Sequence, residues 1–177
     1  MDIKTIKVGR LQTNCYVLTI KDTCLVIDPG ADYNNIISAL GNNALLGVVI
    51  THDHFDHIGA LEQIIEKYKV PVYNYHCLEE KNYKINDFNF NVIYTPGHTN
   101  DSITLYFKDD SVMFTGDFLF KETIGRTDLP TGSYSTMLDS LLKIKGYDMN
   151  IKVYPGHGDS STLEWEFQYN LYLTNGI

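Results

Sequence analysis

His52-Asp53-His54-Phe55-Asp56-His57 sets three imidazoles and two carboxylates within six residues. The whole chain holds 6 histidines in 177 residues, so a window of that length carries roughly 0.2 of one on average. The window follows an apolar run, Leu46 to Thr51, that reads as a strand buried on both faces. It precedes Leu61, Ile64, Ile65 and Tyr68, whose spacing predicts an amphipathic helix starting near Gly59. A strand end opening into a loop gives reactive side chains a rigid platform. His52 and His54 alternate by two, so one extended segment aims both at one point. Asp56 and His57, past a local turn, reach a second point nearby. Imidazoles and carboxylates together suit Zn, Fe or Mn.

Three later segments repeat the arrangement, each a short apolar strand ending in a turn with a ligand-type residue. They are Thr95-Pro96-Gly97-His98, Thr115-Gly116-Asp117 and Tyr154-Pro155-Gly156-His157. Their glycines let the backbone turn tightly and leave space beside the ligand.

Working outward, Asn14 to Ile20 and Thr23 to Ile27 are β-rich runs at hairpin spacing, and Asp28-Pro29-Gly30 stops the second. Asn34 to Leu40 reads as a short helix. Val70 to Tyr75, Asn89 to Thr95, Ser102 to Phe107, Ser111 to Thr115 and Ile151 to Tyr154 read as further strands. Ser133 is placed to cap a helix packing Met137, Leu138, Leu141 and Leu142, and Thr162 to Leu173 reads as a terminal helix. Strands grouped between helices predict a layered α/β or α+β architecture, with residues 1–177 forming a single domain.

Composition narrows the function. The formal charge of −8 lacks the basic footprint of a general nucleic-acid binder and disfavours an anionic membrane surface. No apolar stretch approaches the roughly 20 residues of a membrane span, and the start lacks a signal-peptide pattern. Cys15, Cys24 and Cys77 form no CxxC pair, which points to a reducing cytoplasm and to buried packing for all three. The expected partner is a small-molecule substrate. Oligomeric state leaves no trace in the sequence.

The HxHxDH window with the later PGHT, TGD and PGHG segments resembles the metallo-β-lactamase superfamily, and within it the hydroxyacylglutathione hydrolase (glyoxalase II)-like group. Asn14-Cys15-Tyr16, Ile27-Asp28-Pro29-Gly30 and Gly125-Arg126-Thr127-Asp128-Leu129-Pro130 carry the same likeness. It implies a four-layer αββα sandwich with a metal site along one edge. By the family pattern His52, His54 and His98 hold one ion, Asp56, His57 and His157 hold a second, and Asp117 bridges them. The implied cofactors are two divalent metal ions, Zn2+ first, with Fe or Mn as alternatives. A glutamate in place of His54 would mark the di-iron oxygen or nitric oxide reductases. A cysteine in place of Asp117 would mark the major zinc β-lactamases, and the aspartate points away from them.

The resemblance implies hydrolysis of a thioester of the hydroxyacylglutathione type by a metal-bridging hydroxide, with Asp56 and Asp117 as the catalytic carboxylates. Asp28 and Asp53 are candidates to accept N–H bonds from ligand histidines. Asp28 reads equally as a turn residue, and Asp53 as a solvated carboxylate. Lys121, Arg126 and Tyr134 lie beyond Asp117, within reach of an anionic substrate tail. An Arg126–Asp128 pair inside the loop is the competing reading. His76 matches no ligand position and is a candidate to line the substrate channel.

Glyoxalase II proper carries a C-terminal helical extension that supplies glutathione-binding surface, whereas this chain ends just after the helix following His157. A thioester of another small thiol, a lactone or another ester is therefore the alternative substrate. A persulfide dioxygenase, an RNA-processing nuclease and a non-catalytic metal-binding domain are the remaining alternatives.

Overall fold

The computed structural model describes residues 1–174, and its principal strands fall into two sheets. The first contains β1 (Asp2–Val8), β2 (Thr13–Ile20), β3 (Thr23–Ile27), β4 (Ala44–Val49) and β5 (Val72–Tyr73), side by side in that order. The chain then forms β6 (Asn82–Ile85), β7 (Phe88–Tyr94), β8 (Ile103–Phe107) and β9 (Val112–Gly116). A two-stranded ribbon of β10 (Leu119–Phe120) and β11 (Thr123–Ile124) follows, then β12 (Lys152–Pro155) and β13 (Ser161–Thr162). The second sheet has the order β13-β12-β9-β8-β7-β6. Pairing is antiparallel except for β3–β4, β4–β5 and β9–β12.

Strand alternation explains the layers. In β2, Tyr16 and Leu18 enter the core between the sheets while Cys15 and Val17 face the opposite way. In β3, Leu25 and Ile27 do the first and Cys24 and Val26 the second. In the other sheet Phe114 points inward with Phe88, Phe90 and Phe107, while Met113 and Val153 point outward. Each sheet is thus apolar on both faces, which is why these strands read as continuous apolar runs.

Helices cover the outer faces. On the first sheet, α1 (Tyr33–Leu40) supplies Ile36 and Leu40. There α2 (Phe55–Ile58) leads into α3 (Leu61–Tyr68), which supplies Ile64. On the second sheet α4 (Tyr134–Ile144) supplies Met137, Leu141 and Ile144, with Leu163 and Leu173 beside them from α5 (Leu163–Tyr169) and α6 (Leu171–Thr174). The result is the expected αββα sandwich. No helix among the described residues is long and apolar enough to cross a membrane.

Several local expectations change. Ser133 caps α4 by accepting from Thr136 N–H at 3.3 Å, but Leu142 faces solvent. The terminal helix is two helices, because Asn170 takes an extended conformation (φ −80°, ψ 113°) and its buried amide bonds the carbonyl of Thr123 and the carboxylate of Glu166. β1 and β6 lie at sheet edges, where polar residues alternate with half-buried ones and the apolar signal is faint. The stretch Val70 to Tyr75 pairs only over Val72–Tyr73.

Candidate metal centre

The candidate residues gather where the strands end. Asp28 follows β3, His52 to His57 follow β4, His98 follows β7, Asp117 follows β9, and His157 follows β12. Asp28 has φ +51°, a conformation that aspartate tolerates better than most residues. α2 is the local turn that swings Asp56 and His57 away from His52 and His54.

Two groups of donor atoms result. In one, His54 Nδ1 lies 3.1 Å from His52 Nε2 and 3.0 Å from His98 Nε2, and Asp117 Oδ2 is 3.5 Å from His98 Nε2. In the other, Asp56 Oδ2 lies 3.2 Å from His157 Nε2 and 3.7 Å from His57 Nε2. Asp117 stands between the two, with Oδ1 3.3 Å from His57 Nε2 and Oδ2 3.5 Å from His157 Nε2. Donors at about 2.0–2.1 Å around one tetrahedral ion are roughly 3.3–3.4 Å apart, so the separations suit divalent metal ions.

The outer nitrogens of four candidate ligands are already committed. His57 Nδ1–H donates to Asp28 Oδ2 at 2.9 Å. The Thr51 hydroxyl donates to Asp28 Oδ2 at 2.6 Å, so its lone pair accepts His52 Nδ1–H at 3.1 Å. His98 Nδ1–H donates to the Arg126 carbonyl at 2.7 Å, and His157 Nδ1–H to the Leu11 carbonyl at 3.1 Å. In each neutral ring the Nε2 lone pair is left facing the centre. His57 Nε2 and Asp117 Oδ1 are both buried without a hydrogen-bond partner. Unsatisfied polar atoms aimed at one point are what a metal centre requires.

Electrostatics agree. Burial works against the His57 imidazolium, but the carboxylates of Asp28 and Asp117 outweigh it and raise its pKa to about 10. Burial and then the His57 charge push His52 well below its ordinary value; burial and His98 lower His54. Burial also opposes the Asp117 carboxylate, yet His57 and the neighbouring imidazoles hold it well below the usual range.

Other expected residues are placed differently. Asp53 is exposed and faces His76 at 3.6 Å, so it orients no ligand histidine. His76 instead lines a cavity of about 340 Å³ beside His54. The Arg126 guanidinium holds Asp128 through bonds of 2.7 and 2.8 Å, pulling that carboxyl down to about 2; the loop pair is formed. Lys121 lies 5.4 Å above the Trp165 ring and lines a cavity that His157 shares. Tyr134 is exposed at the start of α4. Cys15 and Cys24 are buried, but Cys77 is exposed, correcting the expectation for all three.

Two contributors had no role assigned at the site from the sequence. Thr13 donates its hydroxyl to Asp56 Oδ2 at 2.8 Å. Asn14 donates from Nδ2 to the carbonyls of Pro155 and Gly158 at 3.0 and 2.9 Å, clamping the loop that carries His157. That is a physical role for the Asn-Cys-Tyr segment, since Tyr16 also donates to Pro155.

Residues 8–79 and 78–157 match the family model of the metallo-β-lactamase superfamily. The chain belongs to that superfamily. Its probable metallo-hydrolase relative YqgX from Bacillus subtilis is 32% identical over alignment covering 100% of this chain and 99% of the relative. Hydroxyacylglutathione hydrolase GloC from Haemophilus influenzae is 28% identical, covering 99% of each chain. The crystal structure of the BLEG-1 B3 metallo-β-lactamase superposes with a TM-score of 0.93 at 33% identity, covering 98% of this chain and 100% of that one. As a metallo-β-lactamase superfamily member with clustered His and Asp donors, the protein is a metallo-hydrolase with a centre for divalent metal ions.

Proposed function

We propose that this metallo-hydrolase cleaves thioesters of the hydroxyacylglutathione type in the cytoplasm. His52, His54 and His98 would hold one ion, Asp56, His57 and His157 the other, with Asp117 shared. The carrying observation is the convergence of these seven side chains with His57 Nε2 and Asp117 Oδ1 buried and unpartnered. Such ions, when bound, lower the pKa of a shared water toward neutrality and polarise a substrate carbonyl. Zinc suits the nitrogen-rich donor set best, and iron or manganese would fit the same atoms.

The chain's own residues do the rest. Asp28, Thr51, Leu11 and Arg126 fix the tautomers of His57, His52, His157 and His98, so none of these four rings has to turn during turnover. Thr13 holds Asp56 through Oδ2, leaving Oδ1 to accept a hydrogen bond from the attacking water and orient it. A thiol with a pKa of about 8.5 leaves as its thiolate, so a thioester needs no protonating residue. The resemblance to the hydroxyacylglutathione hydrolase GloC supports the same substrate class. The three free cysteines support a reducing compartment.

The test is a panel of thioesters, lactones, β-lactams and phosphodiesters given to protein loaded with Zn, Mn or Fe. Thioester turnover by wild type, lost in His54→Ala and Asp117→Ala, is expected. Thioesterase activity retained in both variants, or a clear preference for β-lactam or lactone, would overturn the reading.

A further inference from the structure

Beside Asp56 lies a cavity of about 430 Å³ that the mechanism above leaves unused. Val8, Leu11, Ala31 and Phe55 line it with apolar surface, and Arg10 stands among them. Leu11 and Phe55 are 54% and 74% exposed. Two large apolar side chains left to water around one hollow mark a surface that a ligand covers.

Three charged side chains face this cavity: Arg10, Asp32 and Asp56. Asp32 Oδ2 already accepts the Gly9 N–H at 2.8 Å. Asp56 is turned to His57 and His157. The chain's other arginine, Arg126, is held by Asp128. Arg10 is therefore the arginine that has no carboxylate partner among the described residues.

Its position is tied to the centre at two points just after it in the chain. The next residue, Leu11, accepts from His157 through its carbonyl, and Thr13 donates to Asp56. The turn carrying Arg10 is thus fixed by the same bonds that orient two of the metal-site residues.

We propose that this cavity recognises a carboxylate on a short apolar stem and that Arg10 selects it. The guanidinium fork matches a carboxylate bidentately, while the wall formed by Leu11 and Phe55 covers the stem. The inference deepens the thioester reading and rests on it for the bond that is cut. The carboxylate belongs either to the acyl half of the substrate or to its thiol half, and kinetics distinguish these.

The experiment uses zinc-loaded wild type, Arg10→Met and Arg10→Lys with three thioesters. Succinyl-N-acetylcysteamine carries the charge on the acyl half, the butyryl thioester of 3-mercaptopropionate on the thiol half, and butyryl-N-acetylcysteamine on neither. Wild type should prefer one charged thioester over the neutral one by about 10- to 100-fold in kcat/KM, chiefly through KM. Arg10→Met should erase that ratio and Arg10→Lys restore part of it. An unchanged ratio in Arg10→Met overturns the proposal.

Glutarate titration, followed through the backbone amide shifts of Gly30 and Gly59 in the cavity lining, gives a readout independent of turnover. Saturable shifts in wild type but not in Arg10→Met, with no thioester cleaved, uphold the pocket and overturn the thioester reading. Thioester cleavage without any Arg10-dependent shift or preference overturns the pocket and leaves that reading standing.

Discussion

Asp28 Oδ2 accepts the Nδ1–H of His57 at 2.9 Å while the same carboxylate receives both the N–H and the hydroxyl of Thr51. One buried side chain at the end of β3 thereby fixes His57 directly and His52 through Thr51. Asp28→Ala leaves three buried donors without their acceptor. The expected loss is about 3 kcal/mol or more, read as a fall of roughly 6–12 °C in Tm. Metal affinity should weaken by about 10- to 100-fold, measured by competition with a chromogenic chelator.

Gly156 makes room for the shared carboxylate. A Cβ there would sit 2.1 Å from Asp117 Oδ1 and 2.8 Å from His57 Cε1. Gly156→Ala should therefore displace Asp117 and reduce bound metal to one equivalent or less by elemental analysis. The overpacking should cost about 1–3 kcal/mol. Two retained equivalents would mean the loop yields instead.

Asn14 should matter to one half of the centre more than the other. Its amide clamps the carbonyls on both sides of the loop that presents His157, while His52, His54 and His98 depend on other elements. Asn14→Ala should cost about 1–3 kcal/mol and weaken the second metal equivalent before the first. A two-step metal titration by calorimetry checks this. Equal weakening of both steps would contradict it.

The sequence exposed the candidate centre well because the residues that gather there are types with distinctive chemistry placed at strand ends. The strands were legible where alternation serves two apolar cores, as in β2 and β3. What stayed hidden was set by tertiary context. The carbonyls of Leu11 and Arg126 orient His157 and His98, and a carbonyl has no residue signature. Asn170 breaks the terminal helix because its amide bonds Thr123 and Glu166 across the fold, which helical periodicity does not record. Asp53 sits inside the ligand window yet faces outward, because α2 begins at Phe55 and only Asp56 and His57 turn inward. Thr13 left one usable trace, a hydroxyl immediately before Asn14.

Cysteine reactivity should separate sharply. Burial raises the Cys24 thiol to about 11 from its ordinary 9.0, and burial, then the Asp28 charge, raises Cys15 well above it. Both stay protonated and shielded at pH 8. Cys77 is exposed, so a thiol-specific reagent should modify one residue per native chain and three after denaturation. Because the raised pKa of Cys24 belongs to the folded state, its stabilisation is whole below about pH 9 and is lost as pH rises through about 11. Denaturation midpoints from pH 8 to 11 should fall accordingly.

The most direct test titrates metal-free protein with Zn2+ while following hydrolysis of a hydroxyacylglutathione-type thioester. The binuclear account predicts negligible activity without metal and a rise that levels off at two equivalents per chain. Undiminished hydrolysis by the metal-free protein, or no hydrolysis with both equivalents bound, would contradict it.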